Sequence, residues 1–186
     1  MSSDNIADTV RATRYRNKIL GTGFVWGVIG AVLVSSYFFV LGQVGENPLG
    51  RKAYAFIGIS AIAYIGGMFW FRYKRNGGVL SGVQGILIGF VINVTLTLLV
   101  ALFIKIWFDF SAQGREITQL YLDDMLQLME EGRAYGEQNF GKETYDQTVQ
   151  QVAKTTTSDM ALDFAIKIFA TGLFNTFLYM LFLRKR

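Results

Sequence analysis

The chain of 186 residues contains neither cysteine nor histidine. That removes disulfides, thiol chemistry, the common zinc sites and imidazole acid–base work together. What remains is amine, carboxylate, amide and hydroxyl chemistry, and it falls into three patterns. Lys105 and Asp109 are four residues apart, as are Asp163 and Lys167. A cluster of these four charges is either a structural latch between two helices or a step in an ion or proton pathway. The latch is preferred, since Lys167 lies about one turn inside its apolar run and can snorkel outward past Asp163. The second pattern is a pair of rows at a step of four: Ser81, Gly85, Gly89, Asn93 and Thr97, and Lys167, Thr171, Asn175 and Tyr179. The third is acidic: Asp123 and Asp124 with Glu130 and Glu131 have the charge for a divalent cation or a diphosphate. Without a convergent first shell, a solvated acidic face is the preferred reading. Gly77 and Gly78 are followed by no Gly-Lys-Ser/Thr, so they read as a turn and not a phosphate loop.

These residues are carried by long uncharged runs. Apolar residues make up 52% of the chain and charged ones 17%, below the quarter usual in soluble domains. Residues 77–104 hold no charge over 28 positions. At about 1.5 Å per residue, that helix exceeds the roughly 30 Å hydrocarbon thickness of a bilayer. Four spans are expected, at about 19–41, 53–71, 79–104 and 164–183. Gly23, Gly27 and Ala31 in the first, Ala63 and Gly67 in the second, and the Ser81 row in the third are faces on which helices pack closely. Asn93 and Asn175 both fall near mid-membrane, where a lipid-facing amide costs several kcal/mol. Spans three and four are therefore expected to pair along Ser81, Gly85, Gly89, Asn93, Thr97, Thr171 and Asn175, with the two amides bonded across the contact.

Charge distribution sets the sidedness. The segment before span one, the connection 72–78 and the tail 184–186 together carry ten Lys/Arg against Asp4 and Asp8, whereas residues 105–163 carry five basic and eleven acidic residues. By the positive-inside rule both termini are cytoplasmic and the acidic segment is extracytoplasmic. Residues 1–18 are expected to form a cytoplasmic amphipathic segment, capped at Ser3 or Asp4, with Arg11, Arg14 and Lys18 on one side. Residues 19–186 then form a single membrane domain with an extracytoplasmic insert at about 109–160. Apolar spacing from Arg115 to Tyr135, and again from Lys142 through Met160, predicts a helical hairpin broken at Gly132, Gly136 and Gly141, its second arm continuing into the membrane. The fold class is thus an all-α polytopic membrane protein: four transmembrane helices, and a helical hairpin between the third and fourth.

Gly77, Gly78, Ser81, Gln84 and Gly89 after a Lys/Arg-rich turn, then an acidic helical segment, a last span and a basic tail, carry a resemblance. The chain, from about Ile19 to its end, resembles a domain-of-unknown-function family of four-span bacterial inner-membrane proteins; the longer polar N-terminus departs from it. The resemblance implies topology and inner-membrane location, and no catalytic residues.

On these grounds the expected function is non-catalytic: a structural or accessory subunit of a membrane complex, or a homo-oligomer. Its expected partners are membrane lipid and either other membrane proteins or a second copy of itself. No nucleic acid, cofactor or metal is expected. A small transporter or channel is the alternative, with Asn93, Thr97, Lys167, Thr171 and Asn175 as a polar path. An enzyme is disfavoured because the chain offers few nucleophiles or bases.

Overall fold

The computed structural model describes residues 3–184, with side chains at Thr13 and from Tyr15 onward. The expected cap at Ser3 or Asp4, the basic side chains Arg11 and Arg14, and Lys185 and Arg186 lie outside the described side chains. Seven α-helices follow one another among the described residues: α1 (Ser3–Gln43), α2 (Phe56–Trp70), α3 (Gly82–Phe110), α4 (Ala112–Glu131), α5 (Arg133–Phe140), α6 (Lys142–Ala153) and α7 (Thr157–Leu183). A 3-10 turn, Arg51–Ala55, leads into α2 and a π turn, Phe71–Arg75, closes it. There is no strand among the described residues. Four segments are long and apolar enough to cross a membrane: Tyr15–Gln43, Arg51–Arg75, Gly82–Phe110 and Thr157–Leu183. Residues 3–18 run into span one without a break, because α1 is unbroken over Ser3–Gln43.

The chain divides into two compact units, the first comprising residues up to Ser36, Ala55–Val100 and those from Ala165 on. Its helices meet at glycines. A methyl group at Gly23 would stand 2.6 Å from Val91 Cβ and one at Gly27 2.6 Å from Thr95 Cβ, so α1 and α3 approach backbone to backbone. The Trp26 indole lies across Gly66 and Gly67 of α2, and Gly30 faces Ala63. Gly85 and Gly89 of α3 abut Met180 and Thr176 of α7. Such contacts suit a solvent of hydrocarbon, where helices gain from close packing and not from hiding oil. Tyr64, Met68, Phe71, Leu80, Ile88 and Ile92 fill the centre, each fully buried. Outward-facing residues are apolar as well: Leu98 is 64% and Phe174 65% exposed. In water such a surface would aggregate; against lipid tails it is matched.

The start of α3 is a capping box. Ser81 N–H donates to Gln84 Oε1 at 2.7 Å, and Gln84 N–H to Ser81 Oγ at 3.3 Å. Before it, Gly77 and Gly78 take φ of +61° and +89°, the left-handed region that glycine enters without a Cβ penalty. Arg72 ties this turn to the end of α7: Nε donates to the Gly78 carbonyl at 2.9 Å and Nη1 to the Leu183 carbonyl at 3.2 Å. At Leu183 a cation thus meets a carbonyl that a helix end leaves without an intrahelical donor.

The second unit comprises Tyr37–Tyr54 and Ala101–Phe164. One residue, Ser111, joins α3 to α4; it caps α4 through the Gly114 N–H at 2.8 Å and donates to the Trp107 carbonyl at 2.7 Å. A side chain at Gly114 would collide with the backbone of Trp107 and Phe108, so the tight reversal requires glycine there. Gly42 packs on the face of Trp107. The helical insert has three helices, with α6 packed on both α4 and α5. Breaks fall at Gly132 and at Gly141 (φ +81°), as the sequence predicts, but Gly136 lies inside α5 against the Tyr145 ring. The expected run of the second arm straight into span four is interrupted at residues 154–156. There Thr156 and Asp159 form a new cap: Thr156 N–H donates to Asp159 Oδ2 at 2.9 Å and Asp159 N–H to Thr156 Oγ1 at 3.3 Å.

Candidate functional site

The densest buried polar group lies in the first unit, around Asn93. Its Oδ1 accepts the Tyr64 hydroxyl at 3.1 Å, with a longer contact from the Thr97 hydroxyl at 3.5 Å, and its Nδ2 donates to the Phe169 carbonyl at 2.9 Å. Asn93 and Tyr64 are both 0% exposed. Three helices supply the parts: α2 the phenol, α3 the amide and second hydroxyl, α7 the backbone carbonyl. Gly172 makes the approach possible, because any Cβ there would overlap Asn93 Oδ1 and the Tyr64 oxygen. Chemically this arrangement is closed. It holds three helices in register, and its polar atoms are turned on one another.

In the α3 row Gly85, Gly89, Asn93 and Thr97 are buried, and Gly85, Gly89 and Asn93 meet α7. Ser81 spends its hydroxyl on the helix cap. On α7 the contacting row is offset by one residue, at Gly172, Thr176 and Met180. Thr171, half-buried, donates to its own Lys167 carbonyl at 2.8 Å. Asn175 is buried, yet its Nδ2 has no hydrogen-bond partner among the described residues. The expected bond from one asparagine amide to the other is replaced by Asn93's bonds to Tyr64 and Phe169. The two residues sequence reasoning missed had signals: a tyrosine amid apolar residues of span two needs a partner for its hydroxyl, and Gly172 stands in step with Thr176 and Met180.

In the second unit Lys105 Nζ bridges Asp109 Oδ2 at 2.8 Å, and Asp109 Oδ1 accepts the Thr157 hydroxyl at 2.5 Å. Asp163 and Lys167 are one turn apart on α7, Asp163 exposed and Lys167 half-buried, and neither lacks an interaction. Of the acidic residues weighed as a cation site, Asp124 accepts from Asn47 at 2.9 Å, Glu131 from Gln127 at 2.9 Å, and Glu130 pairs with Arg133. Arg133 also reaches Glu137 at 2.8 Å and Asp146 at 3.5 Å, joining α4, α5 and α6. The Glu137 hydrogen bond, then the charge of Glu130, raise its pKa further above the ordinary guanidinium value. Beneath it the Tyr145 hydroxyl donates to the Met129 carbonyl.

An all-α chain with four helices long and apolar enough to cross a membrane, joined through glycine contacts, defines the class: an integral membrane protein. Residues 22–185 match the family described as "Protein of unknown function (DUF4199)", and the chain belongs to that family. No curated protein and no solved structure matches it. The matched stretch begins close to Ile19, where the resemblance to a domain-of-unknown-function family starts.

Proposed function

We propose that the protein is a non-catalytic membrane subunit that works by assembling with other membrane proteins or with copies of itself. All four candidate spans cross a bacterial inner membrane, with both termini cytoplasmic and the acidic helices outside. One observation carries this reading: Asn93, the most deeply placed polar side chain of α3, is fully buried and spent on Tyr64 and the Phe169 carbonyl. A residue lining a water-filled path would keep its hydrogen-bonding atoms for the solute. Purified in mild detergent, the protein should have a polypeptide mass of at least twice 20.9 kDa, and proteoliposomes should pass no more ion or small-solute flux than empty vesicles. A monomer without associated protein counts against the subunit.

Asn175 favours the alternative of a small transporter or channel, since a buried amide nitrogen without a partner among the described residues is what a passing ion's water or a solute carbonyl would use. Flux that appears in proteoliposomes and is abolished by Asn175→Leu would replace the subunit reading with this one.

A further inference from the structure

Within the first unit a groove of about 260 Å3 runs between α1 and the C-terminal end of α2. Gly21, Thr22, Val25, Trp26 and Ile29 form one wall, and Trp70 and Arg75 stand opposite. Four observations bear on what fills it. The groove is smaller than the roughly 300–1,000 Å3 of small-molecule pockets, which suits a segment of a longer molecule. From Gly21 to Ile29 it extends about 12 Å along α1 at 1.5 Å per residue, starting near the end of the candidate span that begins at Tyr15. That wall is open at Gly21, where a Cβ would meet nothing within 4 Å, while Trp26 is wedged across Gly66 and Gly67 and so is fixed.

The charge at its mouth is also uncommitted. Arg72, three residues earlier, is consumed by the Gly78 and Leu183 carbonyls and stacks on Tyr73. Arg75 is exposed and makes no ion pair among the described residues. A guanidinium at headgroup level over an indole-walled apolar slot complements one chemistry: a phosphate with hydrocarbon attached. We propose that this groove seats one anionic phospholipid, its phosphate on Arg75 and the first methylenes of one acyl chain between Trp26 and Trp70. The proposal rests on the membrane reading but not on the subunit reading.

The chain's three tryptophans make the test direct. In a Trp107→Phe variant only the groove indoles fluoresce; the full-length protein is reconstituted in phosphatidylcholine vesicles doped with either brominated phosphatidylglycerol or brominated phosphatidylcholine. One basic contact near a membrane surface corresponds to about a fivefold preference, so brominated phosphatidylglycerol should quench with about fivefold higher apparent affinity. Arg75→Gln and Gly21→Leu, the second adding bulk where the wall is open, should each bring the ratio near one. Lys74→Gln, an exposed neighbour outside the groove, should leave it unchanged. The unsubstituted protein should show the same preference above a constant Trp107 background. Equal quenching by the two lipids, survival of the preference in either groove variant, or its equal loss in Lys74→Gln overturns the proposal and leaves the membrane reading standing. No quenching by either lipid overturns both.

Discussion

Asn93 earns its burial through three neighbours at once, and the residue without which the arrangement closes up is Gly172. Gly172→Ala places a methyl group on Asn93 Oδ1 and the Tyr64 oxygen, neither of which is the loose end of a flexible chain. Overpacking of this kind costs about 1–3 kcal/mol, so thermal unfolding in detergent should show a clearly lowered midpoint. Asn93→Ser on the Gly172→Ala background should recover part of the loss by shortening the obstructing side chain. Tyr64→Phe removes a single interhelical bond, of a kind averaging about 0.6 kcal/mol in membrane proteins, and should shift the midpoint far less. That Asn93 needs a partner is legible from an amide deep in an apolar run. Its partner row is not, because a hydroxyl in a helix can satisfy itself: Thr171 returns its proton to the Lys167 carbonyl and needs no neighbouring helix. The row richest in polar residues was therefore not the row in contact.

Among the elements, boundaries depend on caps more than on apolar spacing. The breaks at Gly132 and Gly141 were readable because glycine ends helices for backbone reasons alone. The break between α6 and α7 was missed since Val149, Val152, Thr156 and Met160 keep helical spacing across it, and only the Thr156–Asp159 reciprocal bonds reveal a new start. Ser111→Ala removes a cap of this kind from α4, which typically costs about 1 kcal/mol. Amide exchange at Gly114 and Arg115 should accelerate about fivefold, the equivalent of that energy if local opening governs exchange. Exchange within α6 should be unaltered. Equal acceleration in both helices would mean that α4 opens only together with the rest of the unit.

For the molecule as a whole, the sequence sufficed for the all-α class and for four long apolar helices, because length and the absence of charge decide those directly. Sidedness rests on counts of Lys and Arg and has its own test. Reporter fusions after the basic tail 184–186 and between Gly132 and Gly141 should report opposite sides of the membrane; the same side for both removes the assigned orientation. Arg133 bears on the insert's independence. Its guanidinium engages Glu130, Glu137 and Asp146 on three helices, pairs that are at most partly buried and individually weak. The insert's cohesion should accordingly soften as ionic strength rises, with faster proteolysis near Gly132 at high salt.

The single-residue joint at Ser111 leaves no slack between the last turns of α3 and the first turn of α4. A flexible insertion after Ser111 should therefore release the first turn of α4 from the last turn of α3 while leaving each helix intact, read as faster amide exchange at Gly114.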